Sequence, residues 1–206
     1  MQTITSMMIA LPAIIIALTF HEYAHGKVAY WLGDETAYSY GRLTLNPFPH
    51  IDPIGFLMLF IFHFGWAKPV PVNPLNFKGT SIKTGMMLVS LAGPGMNIVL
   101  AFIGMILLKL LIPYQAYEWA NISLAMVQPL IQINLILAAF NLIPLPPLDG
   151  SKILAGLLPD SGAQALYSLE QYGPLLLLLF IVTGIASKVF LPLANFLGGI
   201  LYMIVF

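Results

Sequence analysis

Apolar residues in this chain come in long runs, separated by short links rich in proline, glycine and polar side chains, which is the pattern of spanning helices. Residues 4–20 are apolar except for Thr and Ser, and the helical pattern continues through His21, Glu22 and His25 to about Trp31, where Gly33 stops it. Residues 84–112 are long enough to span, with a soft kink expected at Gly93-Pro94-Gly95, and residues 121–143 span again. A fourth span begins near Leu166 and takes in residues 175–186, and residues 189–206 supply a fifth. Between the first two spans the pattern changes. Residues 36–45 (TAYSYGRLTL) are rich in aromatic and branched side chains and partly alternate, and residues 66–72 (WAKPVPV) are extended by their prolines. Both segments read as short strands of a β-hairpin, with Pro69 and Pro71 lacking the N–H groups of an outer edge. The apolar stretch between them, residues 54–64, reaches only about half of a ~30 Å hydrocarbon core at ~1.5 Å per residue, so a re-entrant segment is expected.

Composition agrees with lipid as the solvent. The 206 residues are 59% hydrophobic and 8% charged, against roughly a quarter charged in soluble domains. The expectation is one membrane-embedded domain over residues 1–206, with a core over about 4–158 and additional helices over about 164–206. The first run lacks a basic leader and a small-residue cleavage site, which reads as a mature helix and not a signal peptide. Net charge is zero and the eight Lys and Arg are scattered, which sets nucleic-acid binding aside. With no cysteine, any metal must be held by His, Asp or Glu. Lys27, Arg42, Lys68, Lys78 and Lys83 all lie between the first two spans, and the next link has only Lys109 and Glu118 near it. The positive-inside tendency therefore puts residues 27–83 on the cytoplasmic side.

The chemistry concentrates at His21-Glu22-Tyr23-Ala24-His25, an H-E-x-x-H motif on a predicted helix. Positions i and i+4 share one face and aim two imidazoles at one ion, the spacing that suits zinc. A catalytic zinc takes three protein ligands plus water, so a third must come from elsewhere. Val28 and Trp31 stand where the metzincin pattern needs Gly and His, which removes that soluble family. Asp34 and Glu35 are local candidates, although a solvated acid pair at a helix end is the plainer reading. Asp149 is the better one: it lies in the broken run Leu145-Pro146-Pro147-Leu148-Asp149-Gly150, and two crossings return it to the histidines' side of the membrane. Its bland alternative is an N-cap for a helix starting near Gly150. Glu22, beside the metal but not bound to it, suits the role of base towards zinc-activated water; the bland alternative is a pair with Lys27.

Three segments together resemble the site-2 protease family of intramembrane zinc metalloproteases: the motif at 21–25, Gly93-Pro94-Gly95-Met96-Asn97, and Asn141-Leu142-Ile143-Pro144-Leu145-Pro146-Pro147-Leu148-Asp149-Gly150. The resemblance implies that His21, His25 and Asp149 bind Zn2+ and that Glu22 is the catalytic base. It implies an all-α polytopic fold whose three-helix catalytic core is closed by cytoplasm-facing loops, in a multi-pass protein of a prokaryotic cell membrane. The substrate would be a transmembrane protein or peptide. It implies further that Asn141 positions substrate or polarises the scissile carbonyl, although by its residue type Asn141 serves equally as glue between helices. Asn97 reads as such a tie. The stretch Gly41 to Pro47 resembles the family's strand near the active site, where an opened substrate would pair; Asn46 is a substrate-binding candidate there, with Asn-Pro as a plain turn the favoured alternative. His50 and Asp52 read as a polar loop at the membrane edge, and His63 as an interfacial side chain. Larger relatives carry PDZ or nucleotide-binding domains for which this chain has no room. The competing class is a membrane zinc-binding or transport protein without protease activity, but transport calls for repeats and a charged path across the bilayer, and neither is evident.

Overall fold

The computed structural model describes residues 4–62 and 65–206. Among these the ordered elements are helices: α1 (Ile4–Trp31), α2 (Thr36–Ser39), α3 (Pro53–Phe62), α4 (Ile82–Leu111), α5 (Glu118–Asn141), α6 (Asp149–Leu157), α7 (Asp160–Leu169), α8 (Gly173–Val182) and α9 (Ile185–Val205). Five stretches are long and apolar enough to cross a membrane: Met7–Trp31, Ile82–Tyr114, Glu118–Asn141, Asp160–Val182 and Ile185–Val205. The fourth is composite, with α7 and α8 joined through a 3-10 turn at Glu170–Tyr172. Gly184, at φ 71°, ends it and separates α8 from α9. Only glycine takes that left-handed conformation without strain, so the break falls there and not between residues 186 and 189.

Helices α1, α4 and α5 pack against one another. Small residues allow the approach: Ala13, Ala17, Ala24 and Ala29 are the buried apolar positions of α1. In one half of the bundle a dry cluster of Ala101, Met105, Ile131, Leu135, Ala139, Ala194, Leu201 and Val205 joins α4 and α5 to α9. A Cβ on Gly104 would stand 2.7 Å from Ile131 Cγ1, so that α4–α5 crossing needs a glycine. The other half holds the buried polar groups. α4 runs unbroken through Gly93-Pro94-Gly95. In a spanning helix, neighbouring helices and side chains offset the donor lost to proline.

The expected β-hairpin is not formed. Residues 36–39 make a helical turn, Gly41 at φ 65° reverses the chain, and the described residues contain a single antiparallel bridge, Ile51 with Ala67. Local hydrogen bonding explains the turn. Asp34 Oδ1 accepts from the Thr36 N–H (3.1 Å) and the Thr36 hydroxyl, which starts a turn where alternation alone suggested a strand. Proline explains the missing ladder: Lys68 N–H donates to His50 O at 2.8 Å, but Pro69 and Pro71 follow and have no N–H with which to extend it. A re-entrant segment is not supported either. α3 is one helix of ten residues, about 15 Å long, capped by Asp52, whose Oδ1 accepts from Ile54 N–H (2.9 Å) and Gly55 N–H (2.8 Å). His63 lies outside the described residues.

Candidate metal centre

His21 and His25 sit one turn apart on α1, and their imidazoles meet edge to face with Nε2 atoms 2.9 Å apart. Asp149, at the first position of α6, brings Oδ2 to 3.3 Å from His21 Nε2 and 3.2 Å from His25 Nε2. The three ligand atoms lie within 4.8 Å of one another. Tetrahedral zinc with bonds of about 2.0–2.1 Å separates its ligand atoms by roughly 3.3 Å, so the donor set fits that ion. Glu22 is not a member of the cluster.

Both imidazoles are held in the tautomer that a metal needs. His21 Nδ1–H donates to Asn97 Oδ1 at 2.7 Å, and His25 Nδ1–H donates to the Val89 carbonyl at 2.7 Å, which leaves both Nε2 lone pairs facing Asp149. Asn97 is fully buried and is itself fixed, its Nδ2 donating to Ala17 O (3.1 Å) and to Asn134 Oδ1 (2.8 Å). Asn134 Nδ2 in turn donates to Leu130 O at 2.8 Å. Asn97 does tie helices, and the same amide orients His21. The role of Asn134 went unread in the sequence, where the available signal was an amide in an apolar helix seven residues before Asn141.

Gly93 gives the histidines their room. A Cβ there would stand 2.4 Å from His25 Nε2 and 2.6 Å from His21 Cε1, so α4 can carry no side chain where it faces the two rings. Gly150 is equally confined, its Cβ position being 2.3 Å from Ile143 O, which seats α6 against the end of the broken 142–148 run. Asp149 does not act as an N-cap: helix α6 starts at Asp149 itself, after Leu148, with no side-chain cap.

Glu22 does not pair with Lys27. Its Oε2 accepts from the Val70 N–H at 2.9 Å, the single amide between Pro69 and Pro71, while Lys27 Nζ stands over the Tyr30 and Trp31 rings at 5.4 and 5.5 Å. The prolines that prevent a ladder thus leave one donor for the glutamate. Asp34 is neither a ligand nor solvated. It is fully buried and accepts from Asn73 N–H (2.7 Å) and Asn76 Nδ2 (2.8 Å) as well as from Thr36, so it fastens the link between α1 and α4 to the end of α1. Burial pushes its carboxyl up, but these hydrogen bonds outweigh burial and hold it below the ordinary range. Glu35 is exposed.

Asn141 ends α5, and its Nδ2 donates to Leu137 O at 3.0 Å within its own helix. Asn46 is exposed, its Oδ1 accepting from the Phe48 N–H at 3.2 Å, as a turn requires. His50 is buried, not at a polar loop's surface, with Nε2 against Thr44 O at 2.8 Å.

A family model described as peptidase family M50 matches residues 110–181, which include Asp149. Among curated proteins the chain is 44% identical to YwhC of Bacillus subtilis over 185 residues, 88% of this chain and 84% of that one. It is 32% identical to Rip2 of Mycobacterium tuberculosis (strain H37Rv) over 80% of this chain and 62% of that one, and 32% identical to MJ0611 of Methanocaldococcus jannaschii over 71% and 69%. All three are named as candidate zinc metalloproteases. No solved structure matches. With the motif, the three-atom cluster and these relatives together, the chain belongs to the M50 peptidase family, the metalloprotease family of the site-2 proteases.

Proposed function

We propose that this protein is an intramembrane zinc metalloendopeptidase of the site-2 type, which hydrolyses peptide bonds in or near the transmembrane segments of membrane-protein substrates. The observation that carries the reading is the meeting of His21 and His25 with Asp149, which follows His25 by 124 positions in the chain, with a braced glutamate on the same turn of α1. His21 lies ten residues, about 15 Å along the axis, from the end of α1 at Trp31, a depth suited to chemistry below the membrane surface.

His21, His25 and Asp149 would hold the ion. When bound, zinc polarises a carbonyl and acidifies water to a pKa near ~7. The protein's own residues do the rest. Glu22 accepts the proton of the attacking water at its carboxylate and delivers it to the departing amine. The Val70 N–H fixes one carboxylate oxygen, and among the described residues Oε1 has no hydrogen-bond partner, so one oxygen is aimed and the other is left for proton transfer. Asn97 and the Val89 carbonyl keep the imidazoles from turning. Asn141, at the end of α5, and Asn46 are the candidates for positioning the substrate backbone. The basic residues between the first two spans favour a site opening towards the cytoplasm of a prokaryotic cell.

The test is cleavage of a model transmembrane substrate by purified protein, read together with bound zinc. Glu22→Gln is expected to keep its zinc and lose cleavage by a factor of about 10³ or more, a loss typical of removing a positioned base together with its charge. Asp149→Asn should lose zinc. Cleavage at the normal rate by Glu22→Gln would overturn the mechanism, and zinc retained in Asp149→Asn but lost in Glu35→Gln would replace the third ligand.

A further inference from the structure

Glu22 is aimed by one amide, and that amide is itself set from outside the metal centre. The Val70 N–H donates to Glu22 Oε2 at 2.9 Å. Two residues earlier, both backbone groups of Lys68 are held by residues 42–50: its N–H donates to His50 O at 2.8 Å, and its carbonyl accepts from Arg42 Nη2 at 2.7 Å. Pro69 makes the connection stiff. The planar peptide unit that carries the Lys68 carbonyl and the one that carries the Val70 N–H are joined only through φ and ψ of Pro69, and the proline ring fixes φ. A single soft torsion therefore separates the oxygen that Arg42 grips from the amide that Glu22 uses.

Arg42 is well placed to act as the anchor. Its own N–H donates to Ala37 O at 2.8 Å and closes the turn at Gly41, where φ is 65°. The next residue, Leu43, closes with Val70 on Gly26, one position after His25: a Cβ on Gly26 would stand 3.2 Å from Val70 Cγ1 and 3.4 Å from Leu43 Cδ1. Arg42 is only 8% exposed, yet among the described residues no carboxylate pairs with it and its Nε is buried without a hydrogen-bond partner. Burying an unpaired charge costs stability, so a neutral side chain would serve a purely structural role better. What the guanidinium provides in return is the charge-assisted hydrogen bond to Lys68 O.

We propose that Arg42 is a positioning residue of the reaction: by holding the Lys68 carbonyl it sets, through Pro69, the Val70 amide that orients the Glu22 carboxylate. This rests on the protease reading above and adds to it a residue that acts from outside the metal cluster. Losing Arg42 should slow hydrolysis and leave zinc in place, because the imidazoles are fixed separately by Asn97 and the Val89 carbonyl.

The experiment uses the full-length chain, zinc-loaded in lipid nanodiscs and carrying isotopically labelled valine. Exchange of the Val70 amide with deuterated solvent is followed by NMR, its signal assigned as the one missing from Val70→Pro. In Arg42→Met this exchange is expected to be faster by about tenfold or more. Bound zinc should stay at the wild-type level, which also shows that the variant has folded; Arg42→Gln guards against the loss of the first. On a model transmembrane peptide kcat should fall about tenfold while KM stays within about twofold, as for a misplaced base. Val70→Pro should show a similar loss, and adding Arg42→Met to it should lower kcat no further. Wild-type exchange at Val70 or an unchanged kcat in a zinc-loaded Arg42 variant, or losses that multiply in the double variant, would overturn the proposal. If the wild-type protein cleaves nothing while Arg42→Met still frees the Val70 amide, hydrolysis is what fails and the positioning of Glu22 stands.

Discussion

The α1–α4–α5 bundle and the α7–α9 segment are built from the same apolar residue types but differ in what holds them. In the first, the buried amides of α4 and α5 are engaged: Asn134 supports Asn97, Asn97 orients His21, and the Val89 carbonyl orients His25. In the second, the polar side chains of α8 and its junction look after their own helix, as when the Thr183 hydroxyl donates to Leu179 O at 2.7 Å. Leu175, Leu178, Leu179 and Val182 of α8 are exposed within the chain and so face lipid. The fourth span is 6% buried, against 28% for each of the first three. Where spans are buried against each other, a polar residue can be both affordable and useful, because a partner is at hand; where a span faces lipid, only backbone-satisfying polar groups remain.

This contrast can be broken most directly at Gly93. Gly93→Val puts carbon where the histidine rings stand, and zinc affinity is expected to fall by at least the roughly 10–100-fold typical of disturbing a ligand's support, measured by competition with a chelator. Wild-type affinity in Gly93→Val would mean that α4 does not abut the rings.

Asn97→Leu sharpens the comparison, since it removes a buried tie and leaves His21 Nδ1 and Asn134 Oδ1 without partners. It should weaken zinc binding by roughly 10-fold or more and lower stability by about 1–3 kcal/mol. Leu178→Ala in α8 is the matched control, with an expected change within about 0.5 kcal/mol and zinc binding intact. Equal losses from the two would erase the distinction between the regions.

Apart from that control, the smallest effect is expected outside the spans, at Asp34. Its folded carboxyl titrates below its unfolded value near ~3.9, so the stabilisation it provides is complete above that pH and is lost as pH falls through the lower, folded value. Asp34→Asn should therefore cost about 1–2 kcal/mol near neutrality, with the gap to wild type closing below about pH 4. A gap that stayed constant down to pH 3 would show that the charge of Asp34 is not what holds residues 73 and 76.

Much of this architecture was legible before any coordinates. Gly33 stops α1 as its position suggests, with φ at 98°, and all five spans correspond to apolar runs in the sequence. The link between the first two spans was the part that misled. Alternating aromatic and branched residues at 36–45 carry a strand signal, but Asp34 outcompetes it through hydrogen bonds to Thr36, Asn73 and Asn76. Neither propensity nor period registers a side chain that recruits backbone from 39 residues away.

What the sequence determined alone is whatever lipid and the helix impose locally. A bilayer demands that backbone groups be satisfied within each span, so long apolar runs can only be helices, and a period of 3.6 residues per turn puts His21 and His25 on one face whatever the rest of the chain does. What tertiary structure decided is which distant groups reach that face. The packing of α6 against α4 is what brings the carboxylate of Asp149, already the favoured acid in the sequence, to within 3.3 Å of both imidazoles; only the close approach of α4 makes Gly93 indispensable, and only the return of residues 66–70 past α1 gives Glu22 its amide. Each of those depends on chain segments meeting across long separations, a relation that no local pattern encodes.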